Sequence, residues 1–167
     1  MKRRTFLIPA LFIAMFNLGS AAPLEVGAPA PTVSALSDAG TSVDLATVYS
    51  KNDYTLVYFY PKADTPGCTK QGCSLRDSYE ALTDRGVAVI GVSYDSVASQ
   101  KAFKEKYQFP FTLLADTEKM VSKAFDANGM LMASRSAYLV HEGKIVYADH
   151  KGSTSQQAAD VLGFLQL

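Results

Sequence analysis

The six residues Thr55–Tyr60, TLVYFY, form an unbroken run of β-branched, aliphatic and aromatic side chains. A strand with one wet face alternates apolar with polar, so this run belongs in the middle of a sheet covered on both sides. Such a strand needs helical layers above and below it, and the rest of the chain supplies them. Val87–Tyr94, VAVIGVSY, is a second buried strand, and a helix ending near Gly86 separates the two. The segment Ser96–Phe109 has helical spacing with Val97, Phe103 and Tyr107 among its apolar positions, and Pro110 lies beyond its end. FTLLAD is a short strand, Lys119–Phe125 a short helix closed by DANG, and SAYLV and KIVYADH flank a hairpin turn at His141-Glu142-Gly143. A helix from about Ser155 to Leu165 closes the chain. At the other end, SDAG reads as a turn between strands Thr32–Leu36 and Thr41–Leu45. The predicted order is β-β-β-α-β-α-β-α-β-β-α. It describes an α/β protein whose central mixed sheet is flanked by helices, with an N-terminal β-hairpin extension.

The first residues stand apart from this pattern. MKRRTFLIPALFIAMFNLGSAAP has basic residues at Lys2, Arg3 and Arg4, an apolar stretch from Phe6 to Phe16, and small residues ending at Ala21 and Ala22. That is the three-part pattern of a signal peptide, and the apolar stretch falls short of the roughly 20 residues of a membrane span. Residues 1–22 are therefore expected to be an export leader, with Arg3-Arg4 resembling a twin-arginine signal, and 23–167 a single domain. The mature protein is expected in the periplasm or another extracytoplasmic space, with no stable membrane insertion. Sixteen basic and sixteen acidic residues give a formal net charge of zero, so charge points to no nucleic-acid partner.

The chain has two cysteines, Cys68 and Cys73. In an exported protein such a pair is ordinarily a structural disulfide. The local sequence argues otherwise. Thr65 suits the N-cap of the helix that follows the central strand, Pro66 suits its first position, and Cys68 then falls in its first turn. Unpaired amides and the helix dipole favour an anionic sulfur there. A weaker base is also a weaker nucleophile, so fast chemistry would need additional donors around the sulfur. Five helical residues separate two Cα atoms by about 7.5 Å along the axis and about 140° around it. A disulfide needs them within roughly 6.8 Å. A Cys68–Cys73 bond therefore requires the helix to unwind.

These residues resemble a known family. PKADTPGCTKQGC is similar to the peroxiredoxin signature Pro-x-x-x-Thr-x-x-Cys, and most closely to the peroxiredoxin Q or bacterioferritin comigratory protein branch. VIGVSYDSVASQKAFKEKYQFPFTLLAD and RSAYLVHEGKIVY continue the resemblance in order and spacing, over most of residues 24–165. The closing hairpin and helix also resemble the thioredoxin-like fold. The resemblance implies a thiol peroxidase acting on hydrogen peroxide and small organic hydroperoxides, without cofactor or metal, as a monomer. It implies Cys68 as peroxidatic nucleophile and Cys73 as resolving cysteine in an intramolecular disulfide. Thr65 would bond the peroxide or thiolate, Pro61 would shield the nucleophile, and Arg135 would stand beside the sulfur. A thioredoxin-like donor would restore the thiols, and export would make that donor extracytoplasmic. The sequence departs from the branch at Gln71, where Glu is usual, and at Ala137 and His141.

Taken singly, several residues have plainer roles. Arg135 could be a solvated charge, Thr65 a simple cap, and Phe109-Pro110-Phe111 a turn with hydrophobic anchors or the lining of a pocket. His141 and His150 lack Cys or carboxylate companions for a metal. A thiol-disulfide oxidoreductase and a non-enzymatic module stapled by Cys68–Cys73 are the alternatives to a peroxidase, and the absence of CxxC argues against the first.

Overall fold

The structure, a computed structural model, describes residues 24–166, and the expected leader lies outside them. Seven strands form one mixed sheet: β1 (Ser34–Ser37), β2 (Ser42–Asp44), β3 (Tyr54–Phe59), β4 (Val87–Ser93), β5 (Thr112–Ala115), β6 (Ser136–His141) and β7 (Lys144–Asp149). Their spatial order is β2-β1-β5-β4-β3-β6-β7. The central β3 runs parallel to β4 and antiparallel to β6, and its residues from Thr55 onward are buried, as a strand covered on both faces requires.

Side-chain alternation along β3 divides the core. Leu56, Tyr58 and Tyr60 face one layer, which holds helices α2 (Pro66–Asp77), α3 (Tyr79–Thr83), α4 (Val97–Tyr107) and α6 (Gln157–Phe164). Val57 and Phe59 face the other, covered by α1 (Leu45–Lys51) and α5 (Met120–Ala124). The hairpin β1–β2 joins the sheet through β1, which pairs antiparallel with β5. The β6–β7 turn places Glu142 and Gly143 at φ of 48° and 72°, the left-handed pair that a two-residue hairpin demands. Among the described residues, no helix is long and apolar enough to cross a membrane.

The predicted element order omits α1. Thr47, Val48 and Tyr49 do not favour a helix, yet Asp44 caps it by accepting from the Ala46 and Thr47 amides at 3.2 and 3.3 Å. The long helix expected to end near Gly86 is two helices. The chain leaves helical geometry at Ser78 (φ −107°, ψ 12°), which turns Tyr79 onto Phe111 and Leu82 into the core.

Candidate active site

The central strand delivers the chain to Pro61 at its carboxyl end, the edge of the sheet where α/β proteins bind ligands. The connection from Pro61 to Thr65 is tied down from two sides. Asp95, just past β4, accepts from the Ala63 amide at 2.8 Å and from the Ser93 hydroxyl at 2.7 Å. Asp64 takes a left-handed φ of 58° and accepts from Lys106 Nζ at 2.7 and 2.8 Å and from the Tyr107 hydroxyl at 2.6 Å. The Lys106 and Tyr107 hydrogen bonds hold the Asp64 carboxyl below the usual carboxylate range.

Thr65 occupies the N-cap of α2 with extended backbone, and Pro66 begins the helix. The Thr65 hydroxyl does not cap. It turns back to donate to the Lys62 carbonyl at 2.9 Å, which fixes the turn instead. Cys68 follows in the first turn, 2% exposed.

Arg135, immediately before β6, reaches across the sheet edge to this turn. Its Nη2 donates to Cys68 Sγ at 3.4 Å and its Nη1 to Gln71 Oε1 at 2.6 Å. Two glycines make room for it. A Cβ on Gly67 would lie 3.2 Å from Nη2, and one on Gly152, already at φ 52°, would overlap the Arg135 side chain and backbone. The amide of Gln71 passes the contact on, donating from Nε2 to Gln157 Oε1 of α6 at 2.9 Å. Gln71 and Gln157 are both fully buried. A residue 67 positions away in sequence thus touches the first-turn sulfur through a fixed donor fork.

The AhpC/TSA family model matches residues 26–148. The chain is 35% identical over 152 residues to the peroxiredoxin Bcp of Bacillus subtilis (strain 168), covering 86% of this chain and 96% of that one. It is 36% identical over 166 residues to the chloroplastic peroxiredoxin Q of Suaeda salsa, covering 96% and 76%. A solved PrxQ from Xylella fastidiosa superposes with a TM-score of 0.81 at 26% identity, over 87% of this chain and 98% of that one. The chain belongs to the AhpC/TSA family, in its peroxiredoxin Q/Bcp branch. Its sheet and helices are those of the thioredoxin-like peroxiredoxin fold.

In this peroxiredoxin both cysteines are free thiols, and α2 runs uninterrupted beneath them from Pro66 to Asp77. Cys68 points into the core, whereas Cys73 is half-buried beside a shallow groove bordered by Lys70, Ser74, Thr154 and Ser155. Pro61 lies with Lys62, Tyr94, Asp95, Leu131 and Met132 along a separate cleft. Phe109 and Phe111 are core rather than pocket. Their rings stack at 5.3 Å, and Phe109 presses on Gly72 behind α2. His141 stacks on Tyr54 and contacts the Asp53 carbonyl at 2.7 Å, and His150 lies against Tyr138.

Three participants were not legible in advance. Asp95 and Asp64 are far in sequence from the groups they hold, Ala63 and Lys106, and Gln157 is 86 residues from its partner. Tyr58 is the fourth surprise. Its hydroxyl is buried without a hydrogen-bond partner, and burial, then the neighbouring Tyr60, Cys68 and Cys73, push its ionisation far above the ordinary tyrosine range.

Proposed function

We propose that this peroxiredoxin, a thiol peroxidase by family, reduces hydrogen peroxide and small organic hydroperoxides through Cys68, with Cys73 as the intramolecular resolver. The observation that carries the reading is the Arg135 guanidinium at 3.4 Å from a buried first-turn sulfur. The Cys68 thiolate attacks the terminal peroxide oxygen and the O–O bond breaks. The sulfur keeps one oxygen as sulfenic acid, and the other leaves with a proton as water or alcohol. Arg135 offers charge-assisted donation to the sulfur and to the oxygen on which negative charge grows, where a preorganised donor counts most. In this reading Pro61 shields the nucleophile, and the Thr65 hydroxyl leaves the Lys62 carbonyl to bond the peroxide or thiolate.

Cys73 then attacks the sulfenic sulfur. The S–S bond forms, the S–O bond breaks, and the departing hydroxyl takes up the Cys73 proton to leave as water. The continuous helix between the two residues implies that its first turns unwind for this step. A thioredoxin-like dithiol restores both thiols and becomes a disulfide itself. With residues 1–22 read as an export leader, that donor is extracytoplasmic, and the enzyme works as a monomer.

The test is a single turnover of the reduced protein with one equivalent of peroxide, followed by thiol counting and mass. Cys68→Ser is expected to consume no peroxide above background, and consumption at the parent rate would refute the reading. Cys73→Ser is expected to turn over once and accumulate sulfenic acid; undiminished multiple turnover would remove Cys73 from the cycle.

A further inference from the structure

The line from Arg135 through Gln71 to Gln157 has only one self-consistent set of orientations. A guanidinium has donors and no acceptor, so Gln71 must turn Oε1 toward Arg135 Nη1, at 2.6 Å. That leaves Gln71 Nε2 facing α6, and Gln157 must therefore present its Oε1, at 2.9 Å. The remaining atom, Gln157 Nε2, is buried with no partner. The chain of bonds fixes Arg135 over Cys68 but ends on an orphaned donor, and an orphaned buried donor weakens the arrangement that contains it.

The location gives this weakness a consequence. Gln71 lies between Cys68 and Cys73 on α2, so no unwinding that brings the two sulfurs together can leave it in place. The same motion would part α2 from α6 and from the segment just before it, where the Ser74 hydroxyl donates to the Ser155 carbonyl at 3.2 Å. We propose that Gln71 and Gln157 are positioning residues that form a clasp, holding Arg135 on Cys68 while peroxide reacts and setting how long the sulfenic acid lasts before Cys73 reaches it. The inference rests on Cys73 being the resolver. The neutral amide at position 71 makes the clasp weak. A carboxylate there would pair with Arg135 and also turn the Gln157 amide around, so that Nε2 gains an acceptor.

Two substitutions push the clasp in opposite directions. Gln71→Glu tightens it with a charge-assisted bond to Arg135 and another to the Gln157 Nε2 donor. Gln157→Leu keeps the volume and removes the α6 end. Each full-length reduced protein is mixed with one equivalent of hydrogen peroxide and quenched with a thiol-blocking reagent at increasing times. Intact mass then separates sulfenic acid, which retains an oxygen, from disulfide, which has lost it. The sulfenic acid is expected to live roughly tenfold longer in Gln71→Glu and roughly fivefold shorter in Gln157→Leu, as expected for gaining or losing about one hydrogen bond. A merely structural role would change the melting temperature without moving the two lifetimes apart, and equal lifetimes in parent and variants overturn the clasp. Should Gln157→Leu not fold, Gln71→Glu carries the test through its lengthened lifetime alone. A parent that forms no sulfenic acid, or forms it without a later disulfide, refutes the catalytic reading and the clasp with it. A parent that completes both steps, with variants that match it, refutes the clasp alone.

Discussion

On the face of the sheet covered by α1 and α5, Phe59, Phe125 and Tyr138 contact at ring separations of 5.3 to 6.1 Å, Tyr138 also meets His150, and one buried hydroxyl, that of Thr55, lacks a partner. The face covered by α2, α4 and α6 includes Cys68, three buried glutamines and two buried polar atoms without partners, Tyr58 Oη and Gln157 Nε2. An unsatisfied buried polar group costs about 1–3 kcal/mol. Tyr58 Oη and Gln157 Nε2 place that cost beneath the helix that the proposed disulfide must open, whereas among the described residues the other face carries it only at Thr55. Local opening draws on regions of lower stability.

The comparison can be broken at several points. The largest effect is expected from Arg135→Met, which keeps the apolar stem but removes the donors. Its Cys68 oxidation rate should fall roughly a hundredfold or more, by analogy with losing one preorganised donor. Stopped-flow peroxide consumption measures it, and a rate within a factor of two of the parent would detach Arg135 from the chemistry.

Gly72→Ala comes next. Its added Cβ would sit 2.5 Å from Phe109 Cζ, in a ring that is itself buried. Overpacking costs about 1–3 kcal/mol and outweighs the gain of about 1 kcal/mol in helix propensity. Denaturant unfolding should show lost stability, and the sulfenic acid lifetime should change as well, because α2 moves.

Phe125→Leu, on the other face, sharpens the contrast. A loss of about 1.5 kcal/mol is expected from the smaller side chain, with both steps at Cys68 unchanged in the same single-turnover assay. A changed oxidation rate would mean that the two faces are not independent.

The smallest effect has the opposite sign. Tyr58→Phe deletes a hydroxyl that is buried without a partner and is expected to raise stability by about 1 kcal/mol. A lower melting temperature would mean that the hydroxyl is bonded in solution.

The sequence made the frame of this molecule legible because the frame rests on local signals. TLVYFY could only be a doubly covered strand, and Thr65-Pro66 marked the start of α2 to the residue. Helix α1 was missed where Thr47, Val48 and Tyr49 outweigh the one capping signal from Asp44. The site was legible through its motif rather than its contacts. Nothing near Arg135 in sequence announces a partner in Cys68, and nothing near Gln157 announces Gln71. Those pairings exist only because β6 and α6 return to the carboxyl end of β3. The Thr65 hydroxyl illustrates the remaining gap: position predicts the cap, but rotamer choice sends its bond to Lys62.

The central claim is that α2 keeps the thiols apart until it opens. Amide hydrogen exchange of the reduced protein, and of the protein oxidised by one equivalent of peroxide, tests it most directly. Amides from Thr69 to Ser74 should be protected in the reduced form and should exchange far faster once the disulfide has formed, while those of β3 stay slow in both. A disulfide confirmed by mass with α2 still fully protected would contradict it.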